Sequence, residues 1–195
     1  MNARSTARLC CALSMLLLLF ALAPALAAEL PGDSIYRLPI ALVDQNGRAR
    51  HLADRRGKPQ LISMFYTSCQ YVCPLIIDSL RKTQQALTPA ERAKLDLILI
   101  SFDPERDTPA RLKAVFDQRR LDPVSWTLAR TEAPDVRKLA AVLGIQYRAL
   151  ANRDINHSTA LVLLDADGRI IARSDKLGEL DPDFVAAVHK TLAQR

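Results

Sequence analysis

The hydrophobic pattern changes period along this chain. At 60–66 and 95–101 apolar residues run almost unbroken, as expected of strands buried on both faces. After Cys73 the period lengthens. Leu75, Ile76, Ser79, Leu80, Thr83 and Leu87 fit one helix face, with Pro74 in the first turn, where a missing N–H is not needed. Thr88-Pro89-Ala90-Glu91 has the form of a capping box and predicts a short second helix. Thr108 or Asp107 is expected to cap a helix through about residue 119, with Pro109 in its first turn. Residues 132–143 predict another helix, stopped by Gly144.

Shorter segments complete the order. Strand-like runs at 35–43 and 48–52 flank Asn46-Gly47, a hairpin signal. Residues 126–129 read as a short strand. Runs at 159–164 and 169–173 flank Asp165-Ala166-Asp167-Gly168 and predict a second hairpin, and Asp181 is expected to cap a last helix to about residue 192. Residues 145–150 show no clear period, and 154–159 read as a polar loop leading into a strand. Buried strands alternating with helices predict an α/β domain, and the closing antiparallel hairpin makes its central sheet mixed. Helices flank that sheet, with a β-hairpin at the N-terminal edge.

The first 28 residues follow a different rule. Arg4 and Arg8 precede an apolar run at 9–23, Pro24 breaks it, and Ala25-Leu26-Ala27 offers a small-residue cleavage pattern. Residues 1–28 are expected to be a secretory signal, with an uncleaved membrane anchor as the alternative. The expected exported domain is then 29–195, placed in the bacterial periplasm or held at the inner membrane by its leader. Cys10 and Cys11 open the apolar run, whereas a lipoprotein cysteine closes it, so they read as inert. The formal net charge of +6 falls to +4 without Arg4 and Arg8. The remaining basic residues are scattered with no aromatic-interleaved stripe, which argues against nucleic acid as a partner.

Only Cys69 and Cys73 then remain. They sit where the 60–66 strand ends and a helix begins, a corner that lowers thiol pKa and presents sulfur to solvent. In an α/β unit this is the thioredoxin arrangement. The three-residue spacer allows a wider bite than the two-residue redox spacer, which suits a metal, though spacing alone does not identify one. His157, just before a buried strand, is the candidate third donor; otherwise it is an ordinary loop residue. Two sulfurs and one imidazole suit Cu(I), which accepts three-coordination, and imidazole also helps hold Cu(II). Zinc would want a fourth ligand. A structural disulfide is the plain alternative, although a loop so short constrains the unfolded chain little. Asp78 and Asp103 are candidates to orient the site. His51 and His189 read as surface residues, and Trp126 and Met64 as core.

The chain resembles the Sco/SenC family of copper-binding thioredoxin-like proteins. The resemblance rests on Phe65-Tyr66-Thr67-Ser68-Cys69-Gln70-Tyr71-Val72-Cys73-Pro74, on Ser101-Phe102-Asp103-Pro104-Glu105-Arg106-Asp107-Thr108-Pro109, and on Asn156-His157-Ser158. It covers the chain from about Gly32 onward. It implies one copper ion per chain, Cu(I) or Cu(II), held by Cys69, Cys73 and His157. It also implies a copper-accepting partner, a cytochrome c oxidase subunit whose binuclear copper centre is being assembled. Many members have proline after the first cysteine and aspartate before the histidine; here these are Gln70 and Asn156.

Two functions follow. One is a copper-delivering assembly factor. The other is a periplasmic thiol:disulfide oxidoreductase acting on other thiol proteins, with Cys69 attacking and Cys73 resolving. A thiol peroxidase would need an arginine against Cys69, which the sequence does not place there.

Overall fold

A computed structural model describes residues 29–151 and 154–194 of the chain. The expected signal at 1–28, with Cys10 and Cys11, lies outside the described residues. Among the described residues no helix is long and apolar enough to cross a membrane.

The core of the domain is a seven-stranded mixed sheet. Its strands are β1 (Ala41–Asp44), β2 (Ala49–His51), β3 (Gln60–Phe65), β4 (Asp96–Ser101), β5 (Trp126–Arg130), β8 (Leu161–Leu164) and β9 (Ile170–Ser174), in spatial order β2-β1-β5-β4-β3-β8-β9. β3, β4 and β5 run parallel, while β1 and β8 join them antiparallel. β3 is buried at every position, as its unbroken apolar run requires, and Met64 is packed within it. Trp126 is also core, its indole N–H donating to Gln84 at 3.0 Å.

Five helices among the described residues flank the sheet: α1 (Val72–Gln85), α2 (Pro89–Arg92), α3 (Pro109–Gln118), α4 (Ala133–Val142) and α5 (Pro182–Ala193). α1 packs on β3, α3 on β5 and α5 on β9. Four ends were legible in advance. The Thr88 hydroxyl accepts from the Glu91 N–H while the Glu91 carboxylate accepts from the Thr88 N–H at 2.9 Å, so the capping box is real. Thr108 caps α3 and Asp181 caps α5. Gly144 follows α4 with φ +66°, the left-handed conformation that a helix C-terminus asks of glycine.

The structure corrects four segments. The run at 35–43 is not one strand. Ile35–Arg37 form a 3-10 turn because the Ser34 hydroxyl caps the Tyr36 N–H at 3.1 Å, and Pro39 denies the sheet a donor, so pairing starts only at Ala41. The 48–52 strand stops at His51, whose N–H is taken by Asp54 at 2.8 Å, and a second 3-10 turn follows. On α1, Leu75 faces outward and is 42% exposed, while Ile77 is buried in its place. At 145–150, where the sequence shows no clear period, and at 154–159, read as a polar loop, the chain forms strands. These are β6 (Tyr147–Ala149) and β7 (Ile155–His157), a two-stranded antiparallel ribbon separate from the main sheet. Strands of three residues are too short to show a period in the sequence.

Candidate metal centre

The site is built where β3 runs out. The strand's last residue, Phe65, is followed by Tyr66 and Thr67, and the chain turns so that the Cys69 N–H donates back to the Tyr66 carbonyl at 3.3 Å. α1 begins at Val72, and its first N–H groups have no partner within the helix. One of them, the N–H of Cys73, donates to Cys69 Sγ at 3.3 Å. Cys73 is buried on the inner face of α1, and its sulfur accepts from the Tyr66 N–H at 3.5 Å. The turn is held from below by Asp107. This carboxylate is fully buried and accepts from the Thr67 N–H at 3.0 Å and from the hydroxyls of Thr67 and Ser101.

The ribbon brings the third donor. His157 ends β7, paired with Tyr147 of β6. Its Nδ1 lies 3.0 Å from the Ser158 carbonyl. A carbonyl only accepts, so this hydrogen bond places the proton on Nδ1 and leaves the Nε2 lone pair free for a metal. Two aromatic rings fix the imidazole plane: Phe102, tilted with centroids 4.9 Å apart, and Tyr66, edge-on at 5.9 Å. The Tyr66 hydroxyl in turn donates to the Asp154 carboxylate.

Cys69, Cys73 and His157 therefore converge, each offering one donor atom, all within 4.8 Å of one another. Donors bound at about 2.0–2.3 Å to one ion stand at most about 4.6 Å apart, so the set fits a single ion after a small side-chain adjustment. Two thiolates and an imidazole form a soft donor set suited to copper.

The two sulfurs differ electrostatically. Partial burial pushes the Cys69 thiol up, but hydrogen bonds from the Cys73 N–H, the Cys73 thiol and the N–H groups of Tyr71 and Val72 outweigh it, and the net shift is downward. Burial pushes the Cys73 thiol well above its ordinary range, and the Tyr66 N–H only partly offsets this. Both cysteines are free thiols. Tyr71, between them in sequence, is 83% exposed and stands at the rim.

The other candidates lie elsewhere. Asp103 does not orient the site: it pairs with Arg106. Asp78 lies 3.7 Å from Arg81 on α1. His189 is bonded to Glu91 at 2.6 Å, and His51 is exposed on the edge hairpin. Arg106 borders a cleft with Cys69, but its guanidinium is engaged by Asp103. Sequence reading missed the supporting roles of Tyr66, Phe102, Asp107 and Asp154. Tyr66 carried one signal, a hydroxyl at the end of a buried strand, which needs a partner.

Known proteins resemble this chain in sequence and in fold. The SCO1/SenC family model matches residues 29–194. A SCO2-like protein of Rickettsia prowazekii is 32% identical over 140 residues, covering 67% of this chain and 65% of its own length. The chain likewise spans 65% of the length of a curated relative in Stutzerimonas stutzeri, 27% identical over 135 residues. Among solved structures, Bradyrhizobium japonicum ScoI with copper bound has a TM-score of 0.66 and 28% identity, covering 79% of this chain and 98% of that one. Yeast Sco1 with copper bound has a TM-score of 0.67 at 20% identity, covering 81% and 88%, a likeness of fold. With the family model matching the domain almost from end to end, the chain belongs to the SCO1/SenC family.

Proposed function

We propose that this protein carries one copper ion on Cys69, Cys73 and His157 and passes it to the thiols of a partner. The observation that carries the reading is the convergence of two sulfurs and one imidazole nitrogen within 4.8 Å, from a strand–helix corner and a separate ribbon. A relative of the same family, ScoI of Bradyrhizobium japonicum, has been solved with copper bound. The cargo leaves by ligand exchange: acceptor thiolates replace Cys69 and Cys73 one at a time, with no change in copper oxidation state required. Membership of the family supports a cytochrome c oxidase subunit as acceptor, and its binuclear copper centre as destination. The basic, apolar leader supports export to the periplasm, with the domain free or held at the membrane.

Anaerobic copper loading of the reduced chain tests this. One copper per chain is expected, and His157→Ala should weaken binding by roughly 10–100-fold or more, since even loss of a supporting contact costs that much. Undiminished affinity in that variant would exclude the three-donor site.

A second reading, a thiol:disulfide oxidoreductase, is favoured by the asymmetry of the pair. Cys69 is half-buried with its thiol lowered, as an attacking sulfur should be, and Cys73 is buried with its thiol raised, as suits a resolving one. Cys73→Ser would then trap a mixed disulfide through Cys69, and His157→Ala would leave protein disulfide reduction intact. The two activities are compatible, because copper requires the reduced pair.

A further inference from the structure

The ribbon that carries His157 shares no ladder hydrogen bond with the main sheet; β7 pairs with β6 alone. A two-stranded ribbon is marginal by itself in water. Its own closure is local: the Ser158 N–H donates to the Gln146 carbonyl at 2.8 Å, and the Gln146 N–H to the Ser158 hydroxyl at 2.9 Å. Those bonds shape the ribbon without placing it against the cysteines. Side-chain contacts to the body must do that. Phe102 lies against both Tyr147 and His157, with ring centroids 5.2 and 4.9 Å apart, and Arg106 acts electrostatically on Asp154. Tyr66 adds a hydrogen-bonded tie.

Tyr66 touches every part of the site. Its N–H donates to Cys73 Sγ at 3.5 Å and its carbonyl accepts from the Cys69 N–H at 3.3 Å, so its main chain shapes the dithiol loop. Its ring meets the His157 imidazole edge-on. Its hydroxyl proton is shared between the Asp154 carboxylate and, at 3.3 Å, the Ile155 carbonyl, both at the start of the strand that ends in His157. The Asp154 carboxylate is itself pinned by the Ile155 N–H at 2.9 Å. One buried side chain thus ties the sulfur half of the site to the nitrogen half.

We infer that Tyr66 is a positioning residue for copper capture: its hydroxyl latches the histidine ribbon, through Asp154 and Ile155, to the loop that holds the cysteines. This rests on the reading of Cys69, Cys73 and His157 as the donors. The latch places the imidazole before the ion arrives, so the ordering of the ribbon is not charged against binding. Without the hydroxyl the ribbon keeps its own hydrogen bonds but loses its hydrogen-bonded tie to the loop. The hydroxyl also interacts with Cys69, so its loss reaches that sulfur, but the main effect is on the nitrogen donor.

A double-mutant cycle on the whole chain tests this. Copper(I) affinity is measured by competition with a chromophoric chelator for wild type, Tyr66→Phe, His157→Ala and the double variant. Tyr66→Phe is expected to weaken binding roughly tenfold in the wild-type background, the scale of one charge-assisted hydrogen bond. It should cost much less when His157 is already absent, leaving only the hydroxyl's contribution at Cys69. Asp154→Ala should reproduce that loss from the other side of the latch, and Asp154→Asn, which keeps an acceptor, should restore most of it. Equal losses in both backgrounds would mean general damage to the loop and overturn the inference, as would unchanged affinity in Tyr66→Phe. If His157→Ala itself bound copper normally, the three-donor reading would fall. The latch would then be decided by the metal-free chain: the His157 ring resonances should shift and broaden in Tyr66→Phe if it exists, and stay as in wild type if it does not.

Discussion

The backbone N–H of Cys73 donates to the sulfur of Cys69 across 3.3 Å, while Cys73 itself is buried, only 3% exposed. A helix start thus serves the outer sulfur with its orphan donors and hides the inner one beneath its first turn. The consequence is a division of reactivity within a single motif. In the metal-free reduced chain, iodoacetamide should label Cys69 first. Cys69 is lowered from its ordinary value, so its labelling rate should rise to half-maximum at a pH below that of a free thiol. Cys73 is raised and should label only at higher pH or on unfolding. Mass spectrometry of timed samples, with Cys69→Ser and Cys73→Ser as controls, reads both rates. Faster labelling of Cys73 would contradict the geometry.

Asp107 supports the cysteine turn from inside. Alanine there leaves the Thr67 N–H and the hydroxyls of Thr67 and Ser101 without that buried acceptor. Asp107→Ala should destabilise the chain by roughly 2–4 kcal/mol, and Asp107→Asn, which keeps one oxygen, by less. Urea unfolding of the three proteins gives the comparison, and a neutral effect of alanine would remove Asp107 from this role.

Copper loading should raise thermal stability. At free copper about 100-fold above Kd, binding to the folded chain alone adds about 2.7 kcal/mol. For a domain of this size that raises Tm by roughly 5–10 °C. Scanning calorimetry with and without a copper chelator checks it, and the shift should shrink in His157→Ala.

A remote contact predicts a pH effect. Hydrogen bonding by His189, then by the Thr88 cap, holds the Glu91 carboxyl at about 2, below its ordinary 4.5. A carboxyl depressed on folding contributes stability above about 4.5, and that contribution is lost as the pH falls toward about 2. Urea unfolding between those limits should therefore show a shallower acid loss for Glu91→Gln than for wild type. Parallel curves would show that the link between α2 and α5 has no effect on acid stability.

Much of this was legible from the chain. The unbroken apolar runs at 60–66 and 95–101 left no wet face, so they had to become central strands, and they did. Thr88, Thr108 and Asp181 announced three helices because a side-chain oxygen beside an orphan N–H acts locally and needs no distant partner. The cysteine corner was visible for the same reason: strand end, turn and helix start are neighbours in sequence. Some of what reading missed had a remote partner. Ile35 looked like strand, but besides the local Ser34 cap its N–H is held by the Gly168 carbonyl at 3.0 Å, from a hairpin far along the chain.

By itself, then, the sequence determined the alternation of strands and helices, the capped helix ends and the placing of two thiols at one corner, because each is written in residues close along the chain. Tertiary structure alone decided that His157 stands beside those thiols, that Asp107 supports their turn from below, and that Tyr66 spans both halves of the site. Those relations join segments far apart in the chain. Which donor meets which acceptor there depends on how the whole sheet packs, and no local period or cap encodes it.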